Sequence, residues 1–187
     1  MTPSTRSDFL KCCLLGACAC AFPAAATDEK PTAPANPEAE WLRGQVEAVR
    51  VRYAKLTSIL DTTLDQTAKE RVFDSLGREC GRQFRSATWE KYRGNLRGFL
   101  DYAQGPQGWM AKADFDEKAG TLRVVDRSSK CTCPLVQQGL TSATQCLCTL
   151  GWQRETYSQI LGKPVEAELE ESILRGGTKC VFRIRVV

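Results

Sequence analysis

Two Cys-x-Cys pairs, Cys131-Thr-Cys133 and Cys146-Leu-Cys148, stand twelve residues apart in a chain that has no histidine. A pair this close cannot easily close on itself, because the disulfide ring would be small and strained. Each pair needs partners elsewhere, and together the pairs could offer four sulfurs to one point. Thiolate-only coordination suits zinc or an iron–sulfur cluster, with Cys131, Cys133, Cys146 and Cys148 as ligands. The spacing is not the Cys-x2-Cys of zinc ribbons. Lys130 and the N–H groups of a tight loop would favour the thiolate forms. Disulfides from one pair to the other meet the same pattern, and a loop of about fifteen residues closed this way gains roughly 3 kcal/mol in the chain-entropy model. The lack of histidine excludes Ser-His-Asp and Cys-His nucleophiles and every His-ligated metal.

Cysteine use also bears on the compartment. Of ten cysteines, Cys12, Cys13, Cys18 and Cys20 fall in an uncharged stretch of small and apolar residues that follows Arg6 and Lys11 and ends in Ala24-Ala25-Ala26. A basic start, an apolar middle and an A-x-A end predict an export signal over 1–26, with Thr27 as the new N-terminus. Phe9-Leu10-Lys11 resembles the end of a twin-arginine motif, with Ser7 where the second arginine belongs. Leu15-Gly16-Ala17-Cys18 is close to a lipobox, so a lipid anchor on Cys18 is the alternative to a soluble periplasmic product. Residues 27–37 hold three prolines and no large apolar side chain, which predicts a flexible linker. Six cysteines then remain, and an even count in an exported chain favours disulfides.

The remaining residues, 38–187, read as one domain with a Cys-rich segment at 131–148. Leu42, Val46, Val49, Tyr53, Leu56 and Leu60 recur at helical spacing. A second helix is predicted over 64–84, with Val72, Phe73, Leu76 and Cys80 inward. A third starts at a Thr88 cap and turns Trp89, Tyr92, Leu96 and Phe99 to one side. Two strands, 109–115 and 121–126, flank a turn with Gly120 in a left-handed position. The segment from Cys131 to Cys148 reads as a loop, and Leu150–Leu161 as a fourth helix stopped by Gly162 and Pro164.

Strict alternation follows in Val165–Ile173 and Cys180–Val186 around Gly176-Gly177, which predicts a two-residue hairpin. In that register Glu170 meets Arg183 and Glu168 meets Arg185 on the wet side, at ~0.2–1 kcal/mol per pair. Ile173 meets Cys180 and Leu169 meets Ile184 inside. Glu171 falls inside, opposite Phe182, where a raised pKa would suit a pocket; a bulge would return it to solvent. Cys80 and Cys180 read as small core residues or as extra members of the sulfur cluster, and Trp152 as core or pocket wall. The fold class is therefore α+β: N-terminal helices on an antiparallel sheet, ending helix–strand–strand.

From Gly151-Trp152 through Leu161-Gly162-Lys163-Pro164-Val165 to Glu171–Ile184, the chain resembles the end of the 4-vinyl reductase domain, with its Cys-x-Phe-x-Ile close. That group shares a ligand-binding fold with heme–nitric-oxide sensors and TRAPP subunits. The L-2-amino-thiazoline-4-carboxylic acid hydrolase-like proteins end in a similar way. The resemblance implies helices packed on an antiparallel sheet around a small-molecule pocket. It places the group's terminal cysteine at Cys180 and its strand acid at Glu171. The doubled Cys-x-Cys and Gly176-Gly177 depart from the general pattern.

The expected function is thus exported binding of a small molecule, a metal or an iron–sulfur cluster. The alternatives are a thiol-dependent hydrolase like the amino-thiazoline group, with a cysteine nucleophile and Glu171 as acid/base, and a disulfide-stapled interaction module. The net charge of +4 is too small to argue for nucleic acid, and no span would remain after signal cleavage.

Overall fold

The computed structural model describes residues 36–187. The export signal expected over 1–26, the alternative anchor site at Cys18 and most of the linker expected over 27–37 lie outside the described residues. The linker's Pro37 is already the first residue of α1 (Pro37–Thr63), a position where its missing N–H costs nothing. Three further helices follow, α2 (Gln66–Lys91), α3 (Leu96–Gln104) and α4 (Gln145–Leu161). The four strands are β1 (Met110–Asp116), β2 (Thr121–Asp126), β3 (Val165–Glu171) and β4 (Val181–Val186). They form one antiparallel sheet in the order β1-β2-β4-β3, and the chain ends helix–strand–strand as the alternation predicts.

Among the described residues, α4 packs on the sheet and α2 packs on α4. The second crossing is unusually close. A Cβ on Gly77 would stand 1.9 Å from the Cys148 carbonyl oxygen, and one on Gly151 would stand 2.3 Å from that of Asp74. Leu122, Val124, Ile184 and Ala167 line the inner sheet face. Against them stand Trp89, Phe99 and Tyr157, none with any exposed surface. Trp89 meets Phe99 edge-on at 5.4 Å and Trp152 at 5.9 Å, so Trp152 packs, partly buried, against the aromatic core.

Several boundaries move from where the sequence puts them. Thr88 does not cap a helix; it lies inside α2, which continues to Lys91. The break comes at Gly94, at φ +73°, whose N–H donates to the Ile160 carbonyl, and Asn95 caps α3 by accepting from Gly98 N–H at 2.9 Å. Cys146 and Cys148 are not on a loop, because α4 begins at Gln145. The apolar stripe of α1 is helical as predicted but not inward. Leu42, Val46, Val49 and Leu56 are about half exposed, and only Ala54 and Thr57 are buried.

The terminal hairpin is also corrected. Glu168 pairs with Arg183 and Leu169 with Phe182, two residues out of the predicted register, and a bulge separates Leu169 from Glu171. No two-residue turn forms, because Ser172 caps a 3-10 turn (Ile173–Arg175) by accepting from Arg175 N–H. Cys180 precedes β4 rather than lying in it. A slip of two keeps each residue on its face. The expected ion pairs therefore survive as diagonals: Arg183 to Glu170, and Arg185 to Glu168 at 3.2 Å.

Candidate functional site

Six cysteines fall among the described residues, Cys80, Cys131, Cys133, Cys146, Cys148 and Cys180, and all carry free thiols. Residues two apart on a helix point about 200° away from each other. Cys146 and Cys148 therefore leave α4 on opposite sides, both buried. Cys146 points toward the β3–β4 loop, where its thiol donates to Ser172 Oγ at 3.4 Å. Cys148 lies at the α2 crossing, beside Gly77, which stands about one turn before Cys80 on α2.

The other pair divides in the same sense. Cys133 lies toward Cys148, and Gln145 Nε2 donates to its sulfur at 3.6 Å. Burial pushes the Cys148 thiol up to about 12, and the neighbouring Cys133 and Cys80 sulfurs add to it. Cys80 is pushed up by burial and by Cys133. Cys131 is pushed up to about 11 by burial, against a hydrogen bond from Cys133 N–H, and its other sulfur neighbours are Cys180 and Cys146. Burial also raises Cys180, against a hydrogen bond from the Ile173 backbone, and its neighbours include Asp126 and the Cys146 sulfur. Among the described residues no group of three or more Cys, Asp or Glu side chains is disposed to hold a metal ion.

Three side chains of α1 hold this arrangement in place through polar bonds that the spacing of its residues did not signal. Tyr53 of α1 donates to Gln145 Oε1, so a hydrogen-bonded chain runs from α1 through Gln145 to Cys133. Burial raises the Tyr53 phenol, with Cys148 and Cys133 contributing. Asp61 of α1 accepts from the Ser142 and Thr144 hydroxyls just before α4. Burial opposes its charge, yet those bonds and Lys69 hold the carboxyl below its ordinary value. Arg50 donates to the Pro134 carbonyl at 2.8 Å. Only the apolar spacing of α1 was visible beforehand, not these polar ties.

Ser172 joins the sulfurs to a groove. An open hollow of about 340 Å³ lies over Leu169, Glu170, Glu171, Ser172, Arg175, Gly176 and Gly177. Glu171 is in its wall but is not the buried acid of raised pKa that the predicted register implied. The bulge turns it into the loop, where Oε1 accepts from Thr178 N–H at 2.7 Å and Lys179 N–H at 3.1 Å. Those backbone donors, with the Thr178 hydroxyl, hold its pKa below the usual value. Arg175 makes no ion pair among the described residues, so its guanidinium is available at the groove.

No protein-family model matches the chain, and no curated protein matches it. Solved structures do. The phenol-responsive sensory domain of the transcription activator PoxR, crystallised with phenol, superposes with a TM-score of 0.52 at 16% identity over 73% of this chain and 74% of that one. A trafficking protein particle complex subunit 3 from Naegleria fowleri, covalently bound to palmitic acid, gives 0.51 at 17% identity over 78% and 96%. At such identities the likeness establishes the fold alone.

Proposed function

We propose that this chain is an exported small-molecule-binding domain of the 4-vinyl reductase type, and that its ligand is a small carboxylate held in the groove over Leu169–Gly177. The observation that carries the reading is the groove itself. Its volume of about 340 Å³ falls in the usual range for small-ligand sites, and it sets the unpaired Arg175 guanidinium beside a carboxylate already fixed by backbone donors. Arginine binds a carboxylate through two parallel hydrogen bonds. The second oxygen of Glu171 would take an amine or hydroxyl of the same ligand. Two structural neighbours that hold small organic molecules, phenol and palmitic acid, support a binding role.

The test is a thermal-shift and calorimetric screen of small hydroxy- and amino-carboxylates, with phenols as a comparison set. The wild type should be stabilised by carboxylates, and Arg175→Ala should lose at least tenfold in affinity. A wild type indifferent to every carboxylate, or an Arg175→Ala variant that binds equally well, would reject the groove as the site.

Zinc or an iron–sulfur cluster on Cys131, Cys133, Cys146 and Cys148 is the sharper form of the sequence expectation. As placed, the four sulfurs do not fit one metal centre, since the two on α4 diverge and no three-ligand group is assembled. Metal analysis of the purified protein alongside thiol titration checks this: bound zinc or iron with unreactive thiols would restore the four-sulfur centre. The hydrolase reading needs a cysteine of lowered pKa, whereas Cys80, Cys131, Cys148 and Cys180 are all pushed up.

A further inference from the structure

The divergence of Cys146 from Cys148 has a chemical consequence. We infer that the six cysteines form two separate redox sets, Cys80/Cys133/Cys148 beneath α1 and Cys131/Cys146/Cys180 beside the β3–β4 loop, and that on oxidation each set closes one disulfide and keeps one thiol. This does not depend on the groove reading.

Geometry separates the sets. The two α4 sulfurs leave the helix about 200° apart. On one side, α2 and α4 touch backbone to backbone at Gly77 and Cys148. Cys80, three residues after Gly77, shares that face of α2. Gln145 reaches Cys133 from the same end of α4, at 3.6 Å, and Tyr53 covers the group by its hydrogen bond to Gln145. On the other side, Cys146 is bonded to Ser172 at 3.4 Å. Cys180 lies on that side too, its sulfur hydrogen-bonded to the Ile173 backbone in the β3–β4 loop. The electrostatic neighbours agree: Cys148 is influenced by Cys133 and Cys80, and Cys131 by Cys180 and Cys146 as well as by adjacent Cys133.

Three sulfurs cannot all pair. One disulfide per set therefore leaves a third cysteine in its thiol form. The oxidant is a disulfide of low molecular weight, such as oxidised glutathione. Cys133 as thiolate attacks one of its sulfurs, the S–S bond breaks and one half leaves as a thiol. Cys148 then attacks the mixed disulfide and releases the second half. Two protons and two electrons pass from the cysteine pair to the reagent for each bond closed. The second set does the same among Cys131, Cys146 and Cys180.

The experiment oxidises the reduced full-length protein with glutathione disulfide, blocks remaining thiols with N-ethylmaleimide and maps the links by mass spectrometry. Cleavage after Leu147 separates Cys146 from Cys148. Among these six cysteines the expected result is two disulfides, one inside each set, with one labelled thiol per set. The double variant Cys133→Ser/Cys146→Ser sharpens the test. It should link Cys80 to Cys148 and Cys131 to Cys180, whereas a single four-sulfur cluster would link Cys131 to Cys148. Three disulfides among the six, any link between the sets, or six thiols that label only after a chelator is added would overturn the inference. The wild-type map stands alone if the double variant does not fold.

Discussion

Asp126, the last residue of β2, carries the carboxylate most at odds with its surroundings. Burial alone raises its pKa from 3.8 to about 6. A carboxylate whose folded pKa is raised binds its proton more tightly in the folded state. Its penalty is thus absent below about pH 4, grows as pH rises from 4 to 6 and is complete above 6, reaching on the order of 2–3 kcal/mol for a shift of this size. Asp126→Asn should therefore be more stable than the wild type at pH 7 by roughly that amount and no more stable at pH 4. Urea unfolding in reductant at the two pH values measures the difference, and an equal gain at both would refute the assignment. Asp61, Asp74, Glu170 and Glu171, whose pKa values are lowered, act in the opposite sense and destabilise the wild type only as pH falls toward and below 4. Comparing wild type with variant cancels them. At this scale the sequence was only partly legible. Two Cys-x-Cys pairs mark the sulfur region, but whether they share a centre depends on α4 beginning at Gln145 rather than at Leu150. Asp126 gave no signal, because an acid closing a strand looks like an ordinary turn residue until the strand's neighbours are known.

Helix packing carries a sharper test of how α2 and α4 meet. Alanine in place of Gly151 would put a methyl 2.3 Å from the Asp74 carbonyl oxygen, and the nearby atoms are all backbone. Nothing can rotate away, so the helices must separate. The substitution should cost about 1–3 kcal/mol from overpacking, outweighing the ~1 kcal/mol that alanine gains over glycine in a helix. Gly44, in α1, has nothing within 4 Å of its would-be Cβ. Gly44→Ala should accordingly stabilise by about 0.5–1 kcal/mol. The same chemical change is expected to have opposite signs in two helices, and chemical denaturation of both variants checks it. Periodicity identified the helices and strands because an amphipathic face must be buried in either case. It missed this crossing because glycine reads as a helix breaker unless a partner's backbone is known to lie against it. The hairpin register slipped for a related reason. Alternation fixes which face a residue takes but not how far the strands slide, and the length of the connection was set by the Ser172 cap and the Glu171 carboxylate.

At the scale of the whole molecule, α1 is the element least bound to the rest. Its apolar residues are mostly exposed, and its side-chain ties run to the cysteine loop and the start of α4 through Arg50, Tyr53 and Asp61. The spacing of Leu42, Val46, Val49 and Leu56 predicted a core-facing helix, but the α2–α4 crossing and the sheet already bury the aromatic centre without it. Local stability should follow that division. Asp61→Ala removes the acceptor for both Ser142 and Thr144, and Arg50→Ala removes the bond to Pro134, each worth about 1–2 kcal/mol where partly shielded. Hydrogen exchange should then show α1 and the loop at 131–144 opening tenfold or more faster in either variant. The amides of α4 and of β2 and β4 should keep wild-type protection. Uniform loss across all of these elements would mean instead that α1 is part of the cooperative core. Closing the two sulfur sets should act oppositely, slowing exchange in the loop. In that case α1 is anchored only as firmly as the redox state of the segment beneath it allows.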